Sequence, residues 1–71
     1  MPLITVTTWP SEDDSACAEL MLALTRTVRE VTGAPLDKIT VVINEVAKTR
    51  WCEGGALATD PEFAALSRRT S

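Results

Sequence analysis

The stretch ITVVINEV, from Ile39 to Val46, decides the fold, because it is the longest β-branched, apolar run of the chain. Its centre, residues 41–43, does not alternate between apolar and polar side chains, which is typical of a strand covered on both faces. An earlier stretch, LITVTT from Leu3 to Thr8, does alternate, and Trp9-Pro10 follows it. Proline cannot extend a hydrogen-bonded ladder, so a strand ends there. The sequence therefore predicts two strands, one at each end of a longer intervening segment.

The intervening segment predicts one long helix. We expect it to begin at residues 11–14 (SEDD), where Ser11 caps free backbone N–H groups and the carboxylates suit the positive end of the helix dipole. Gly33 is a natural residue for the left-handed turn after a helix, and Pro35 prevents its continuation. Apolar residues recur at helical spacing in one stripe, which consists of Cys17, Leu20, Leu24, Val28 and Val31.

Strand, helix and strand in this order form a β-α-β unit with parallel strands and a right-handed crossover. Gly54-Gly55 then marks a tight hairpin, and Asp60-Pro61-Glu62 starts a short helical turn before a loose tail at residues 68–71. We predict an α+β fold in a single domain, residues 1–71. One helix covers only one face of a two-stranded sheet, so another subunit must cover the other face. A chain this short is also marginal as a monomer.

Composition excludes several classes of function. The net charge of −3 argues against nucleic-acid and anionic-membrane partners, and no apolar run approaches the ~20 residues of a membrane span. The sequence has no histidine and two cysteines, so one chain offers neither a four-ligand zinc site nor a Ser-His or Cys-His pair. We therefore expect no metal site. No signal peptide is recognisable, which favours the cytoplasm, where a Cys17–Cys52 disulfide would be rare.

Met1-Pro2 is the informative pair for chemistry. Methionine before a small residue is routinely removed, which would leave Pro2 as a secondary amine at the head of a strand. The pKa of an α-amino group is ~7.7–8.0 in model peptides, and desolvation lowers it. A neutral amine beside an apolar surface can take a proton from carbon and return it elsewhere. On its own, the dipeptide is also a common and uninformative start.

Further motifs follow Pro2 in a fixed order. They are the Ser11 helix start, Ala34-Pro35-Leu36, INEVAK at residues 43–48, Trp51 and GGALA at residues 54–58. In order and spacing, from Pro2 to about Thr59, the chain resembles the 4-oxalocrotonate tautomerase family, which leaves residues 60–71 as a C-terminal extension. The resemblance implies a β-α-β subunit in a hexamer, a trimer of dimers. It also implies an isomerase that needs no cofactor and moves a proton within a small unsaturated keto or enol acid, with Pro2 as general base and then general acid.

The same resemblance gives Trp51 the role of an aromatic wall of the site and shows two departures from the family pattern. Trp51 falls where the family has a phenylalanine beside the proline amine and can fill that role, and an ordinary interface aromatic is the alternative interpretation. The family binds its dicarboxylate substrate with two arginines, and Glu12 and Thr40 stand at those positions. Arg50 is the nearest basic candidate to bind a carboxylate or carbonyl group, ahead of Lys38 and Lys48. An ordinary solvated charge is the simpler interpretation of each of these residues.

Two alternatives stay open. Glu53 matches the position of a water-activating glutamate in trans-3-chloroacrylic acid dehalogenases, so Pro2 and Glu53 together would suit a hydratase or dehalogenase of an unsaturated acid. The chain would otherwise be a non-catalytic subunit of a mixed hexamer, with arginines supplied by a paralogous subunit. Water incorporated into the product would favour the first alternative, and co-purification of a second small subunit the other.

Overall fold

A computed structural model describes residues 1–67 and confirms the predicted α+β architecture. Two strands, β1 (Leu3–Thr8) and β2 (Thr40–Glu45), flank one long helix, α1 (Asp14–Thr32). A hairpin of β3 (Cys52–Glu53) and β4 (Ala56–Leu57) follows, and α2 (Phe63–Ser67) is the last element. The predicted tail at residues 68–71 lies outside the described residues.

The two long strands form a parallel sheet with one open face. Their register runs from the Leu3–Thr40 pair to the Thr8–Glu45 pair, and α1 packs against β2. Exposure alternates along both strands: Val41 is half-buried, whereas Leu3 is 61% and Val42 40% exposed. The single chain therefore covers one face of the sheet with α1, as the sequence predicts, and leaves apolar side chains on the other.

The beginning of α1 differs from the sequence prediction. Asp13, and not Ser11, caps the helix, because its carboxylate accepts a hydrogen bond from the backbone N–H of Ala16 at 2.9 Å. The backbone N–H of Ser11 donates instead to the Glu45 carboxylate at 2.6 Å, while the Ser11 hydroxyl accepts from the backbone N–H of Asp13 at 3.1 Å. These bonds tie Ser11 to the end of β2, so the chain enters the helix only at Asp14.

The apolar stripe of α1 is also shifted from the predicted one. Cys17, Leu24 and Val28 are half-buried, but Leu20 is 43% and Val31 80% exposed. Met21 is half-buried, and Cys17, Met21, Leu24 and Val28 follow the 3.6-residue period more closely than the predicted set. A two-stranded sheet is narrow, so residues at the margin of the stripe pass beyond it. The predicted end of the helix is confirmed, because Gly33 adopts a left-handed conformation with φ 72°.

The hairpin after β2 turns at the two glycines that the sequence predicts, and its two short strands pair with each other. Gly54 and Gly55 both have positive φ, 58° and 88°, as a two-residue hairpin turn of this hand requires. Strand β4 pairs with β3 of the same chain, in an antiparallel register that joins Glu53 to Ala56. Within residues 1–67, Ala56 and Ala58 are the fully buried apolar residues, at 3% and 8% exposure. A single subunit thus has very little interior of its own.

Candidate active site

Pro2 lies at the entry to β1, beside the first residue of β2. It is half-buried, and its carbonyl accepts a hydrogen bond from the backbone N–H of Thr40 at 3.0 Å. In the full chain Met1 precedes it, so the Pro2 nitrogen is part of an amide and is not basic. Met1 is 89% exposed, which leaves the bond before Pro2 accessible to removal of the methionine. Removal would leave a secondary amine fixed at the edge of the sheet.

Trp51 and Glu53 lie beyond the opposite end of the sheet. A 3₁₀ turn, Lys48–Arg50, follows β2, and Trp51 leaves it in an extended conformation toward the hairpin. The indole N–H of Trp51 donates to a carboxylate oxygen of Glu53 at 2.8 Å. The structure therefore brings together two of the residues that the sequence singles out, an aromatic ring and a carboxylate. It fixes the orientation of each through the other.

Arg50 and Lys48 are placed differently from each other. The Arg50 guanidinium donates to the neighbouring carbonyl of Thr49 at 3.2 Å and stays exposed, so it is free to turn toward an anion. The Lys48 ammonium lies over the ring of Trp9, 4.5 Å from its centre, in a cation–π contact. Lys48 is thus engaged with an aromatic face, which leaves Arg50 as the better basic candidate at this end.

Trp9 forms the centre of an aromatic cluster that the sequence analysis does not predict. Its ring packs edge-to-face against Trp51, with centroids 5.8 Å apart, and against Phe63, with centroids 5.7 Å apart. Such pairs contribute ~0.5–1.5 kcal/mol each beyond the area that they bury. The chain has two tryptophans, one phenylalanine and no tyrosine, so this cluster, Trp9, Trp51 and Phe63, contains all its aromatic residues.

The indole N–H of Trp9 is buried and has no hydrogen-bond partner among residues 1–67. An unsatisfied buried donor costs ~1–3 kcal/mol. Trp51 contrasts with it, since its N–H is bonded to Glu53. The orientation of the Trp9 ring consequently depends on ring contacts and not on a hydrogen bond.

Pro2 and Trp51 do not meet within one chain. Strand β1 has six residues, and at ~3.3 Å per residue roughly 20 Å of strand separates Pro2 from Trp9, which contacts Trp51. Thr40 lies at the Pro2 end, whereas Glu12 follows Ser11 at the Trp51 end. One subunit therefore holds the two candidate groups apart, the proline at one end of the sheet and the aromatic ring at the other, and we call these two ends the half-sites.

In residues 1–67 no cluster of three or more His, Cys, Asp or Glu side chains is arranged to hold a metal ion. Both cysteines have free thiols, with Cys17 half-buried and Cys52 exposed. None of the helices in this part of the chain combines the length and apolar character that a bilayer span needs.

Comparison with known proteins gives a consistent result. The family model described as "Tautomerase enzyme" matches residues 2–60. A probable tautomerase of Lactiplantibacillus plantarum is 31% identical over 62 residues, which are 87% of this chain and 97% of that protein. A solved 4-oxalocrotonate tautomerase homologue of the tomaymycin biosynthetic pathway is 35% identical, with a TM-score of 0.72, over 76% of this chain and 83% of the other. A heterohexamer 4-oxalocrotonate tautomerase from Chloroflexus aurantiacus is 28% identical, with a TM-score of 0.79, over 86% of this chain and 98% of the other.

Proposed function

The chain belongs to the tautomerase family, and from that premise we propose that it is a cofactor-independent isomerase of the 4-oxalocrotonate tautomerase type. Its substrate would be a small unsaturated keto or enol acid, interconverted by proton transfer. The observation that carries the proposal is Pro2, half-buried at the head of β1 and one accessible peptide bond from becoming the N-terminus. Ketonisation of a simple enol by the protein, after an intact mass has established that Met1 is absent, tests it.

The proposed mechanism uses the Pro2 amine twice. As the neutral amine it takes the enol hydroxyl proton, or a proton from carbon in the reverse direction, and the electron pair moves to the adjacent bond. The resulting ammonium returns one proton to the other atom, so the amine is restored and no cofactor is consumed. The apolar ring of Trp51 would exclude water and disfavour the charged ammonium, which keeps the Pro2 amine in its neutral, basic form. Arg50 would bind the carboxylate or carbonyl oxygen of the substrate.

This mechanism needs a second copy or a paralogous subunit, because Pro2 and Trp51 lie at opposite ends of β1. The open sheet face, with Leu3 and Val42 exposed, supports association of subunits. A homohexamer would join the two half-sites among identical chains. The similarity to the Chloroflexus heterohexamer supports a mixed assembly as the variant of this arrangement.

Sedimentation is expected to show a hexamer, or at least a multimer, at micromolar concentration. The physical reason is the exposed apolar face of the β1–β2 sheet together with the small interior of one subunit. A stable, folded monomer under these conditions would contradict the proposed architecture. Co-purification of a paralogous small subunit would instead identify the mixed assembly.

Mixing two inactive variants is expected to restore activity if the half-sites combine between copies. Pro2→Ala subunits keep Trp51, and Trp51→Ala subunits keep Pro2. After joint unfolding and refolding, random assembly gives both intact groups in about a quarter of the sites, so about a quarter of the native rate should return. Each variant refolded alone is the control. No recovery in mixed oligomers that contain both chains would place the whole site within one subunit.

A hydratase or dehalogenase is the second candidate, and the Trp51–Glu53 hydrogen bond favours it, because it places a fixed carboxylate at the same half-site. Glu53 would activate a water molecule that adds to the double bond of an unsaturated acid. The composition of the product separates the two functions: hydration adds one water molecule to the substrate and dehalogenation releases halide, whereas a tautomerase leaves the mass of the substrate unchanged. Glu53→Gln should then abolish hydration and leave ketonisation largely intact.

A further inference from the structure

We propose that Trp9, held by Phe63, is a positioning residue for Trp51, so that the segment after the hairpin determines which substrates the site accepts. The inference rests on the proposed function, because it takes Trp51 as an apolar wall of the active site. It adds a role for two residues, Trp9 and Phe63, that do not touch the reacting atoms.

Two contacts fix the Trp51 ring. One is the hydrogen bond from its indole N–H to Glu53 at 2.8 Å, and the other is the edge-to-face packing against Trp9 at 5.8 Å and 73°. The hydrogen bond joins Trp51 to the exposed side chain of Glu53, whereas the Trp9 ring that packs against it is half-buried. The position of Trp51 therefore depends mainly on Trp9.

Trp9 in turn depends on its ring contacts. Its indole N–H has no acceptor among residues 1–67, so no hydrogen bond sets its orientation. Phe63 packs edge-to-face on it at 5.7 Å and 60°, and the Lys48 ammonium lies over it at 4.5 Å. Lys48 has a long, flexible and exposed side chain, whereas Phe63 is half-buried on α2. Phe63 is therefore the contact that holds Trp9 in place.

Phe63 lies beyond residue 60, where the family match ends. The segment between β4 and α2 is held by its own hydrogen bonds: the Phe63 N–H donates to the Asp60 carbonyl at 2.9 Å, and the Asp60 carboxylate accepts from the backbone N–H of Glu62 at 2.8 Å. These bonds hold Phe63 at the start of α2, where it contacts Trp9, the residue directly after β1. Substrate selection by this chain consequently includes a contribution from outside the matched region.

The Trp51 ring is large, and with Trp9 packed against it the ring cannot move away from the substrate. The space for substrate beside Trp51 is therefore small. The geometry favours small, flat aliphatic enol acids and disfavours enols with a bulky aromatic substituent. Removal of the Phe63 ring should relax this discrimination, because Trp9 and then Trp51 gain freedom. Proton transfer at Pro2 should change little, since the proposal places Trp51, and not Trp9 or Phe63, against the amine.

The activity experiment compares Phe63→Ala with Leu66→Ala in the assembled protein. Leu66 is half-buried on the same helix but is not one of the three rings, so its truncation loosens α2 without removing a ring contact. For Phe63→Ala we expect the KM of phenylenolpyruvate to fall ~3- to 10-fold relative to that of an aliphatic enol acid, the effect of one ring pair, with kcat within ~2-fold. Phe63→Tyr should restore the native ratio, and Leu66→Ala should keep it.

A second measurement does not need activity. In protein labelled with 5-fluorotryptophan, Trp9→Phe and Trp51→Phe assign the two ¹⁹F resonances. Phe63→Ala should shift or broaden the resonance of Trp51 as well as that of Trp9, and Leu66→Ala should leave Trp51 unchanged. If Phe63→Ala does not fold, Phe63→Leu keeps the apolar volume without the ring and serves in its place.

The outcomes separate the inference from the function on which it rests. An unchanged Trp51 resonance and an unchanged KM ratio in a folded Phe63→Ala oligomer overturn the positioning role and leave the tautomerase proposal intact. Absence of turnover for every enol, with a shifted Trp51 resonance, overturns the proposed function but supports the positioning of Trp51. A change in kcat without a change in the KM ratio contradicts the inference, because a displaced Trp51 ring must alter the space that is available to a bulky substrate.

Discussion

Pro2→Ala is expected to lower the rate of ketonisation of a simple enol by ~10²-fold or more, which is the contribution of a positioned acid–base group. The variant keeps an N-terminal amine but loses the constrained secondary amine at the head of β1. The carbonyl of residue 2 can still accept the hydrogen bond from Thr40, so the strand pairing should persist. The measurement is kcat/KM for the enol, with the reaction monitored through the loss of the enol's ultraviolet absorbance.

A processing control accompanies this variant. Native protein that retains Met1 has an amide nitrogen at Pro2 and should be as inactive as Pro2→Ala, whereas the processed form should be active. Intact mass assigns each preparation. Equal activity of the processed protein, the unprocessed protein and Pro2→Ala would exclude the proline amine from the mechanism.

The main elements of the fold could be predicted from local sequence patterns. The alternation in LITVTT, the run in ITVVINEV and the Gly33-Ala34-Pro35 helix end each have a direct physical cause, and β1, β2 and the end of α1 lie where these patterns place them. The Gly54-Gly55 turn was equally predictable, because two successive positive φ angles exclude most other residues. Such features depend on residues that are close together in the sequence, so the sequence alone is enough to predict them.

Features that depend on distant residues could not be predicted in this way. The helix begins at Asp14 because Glu45, at the end of β2, binds the backbone of Ser11, and no local pattern contains that contact. The aromatic cluster joins the residue after β1, the residue after the 3₁₀ turn and a residue on α2. Each of these aromatics is isolated in the sequence, so only the tertiary structure shows that they meet.

The two departures from the family pattern lead to the prediction on substrate charge. Glu12 is an exposed carboxylate that follows Ser11, which Glu45 fixes to the end of β2, and Thr40 is bonded through its backbone to Pro2. If guanidinium groups normally stand at these two positions, two charge-assisted contacts of ~1.5–3 kcal/mol each are missing. Dicarboxylate enols should therefore be turned over ~10²- to 10⁴-fold less well, in kcat/KM, than an arginine-bearing site would allow.

The variant Glu12→Arg with Thr40→Arg tests the cause of this loss. It should raise kcat/KM for 2-hydroxymuconate and leave neutral enols almost unchanged, because a neutral enol makes no ion pair with either group. Glu12→Gln is the matched control, because it removes the negative charge without supplying the paired N–H donors of a guanidinium. It should recover only the part of kcat/KM that is lost through repulsion between Glu12 and the substrate carboxylate. Because Glu12 and Thr40 lie at opposite ends of β1, the two arginines would act on one substrate from different copies. The prediction is wrong if the unmodified homo-oligomer already turns over 2-hydroxymuconate near the ~10⁸–10⁹ M⁻¹s⁻¹ diffusional ceiling. It is equally wrong if the double variant, still folded and assembled, gains nothing.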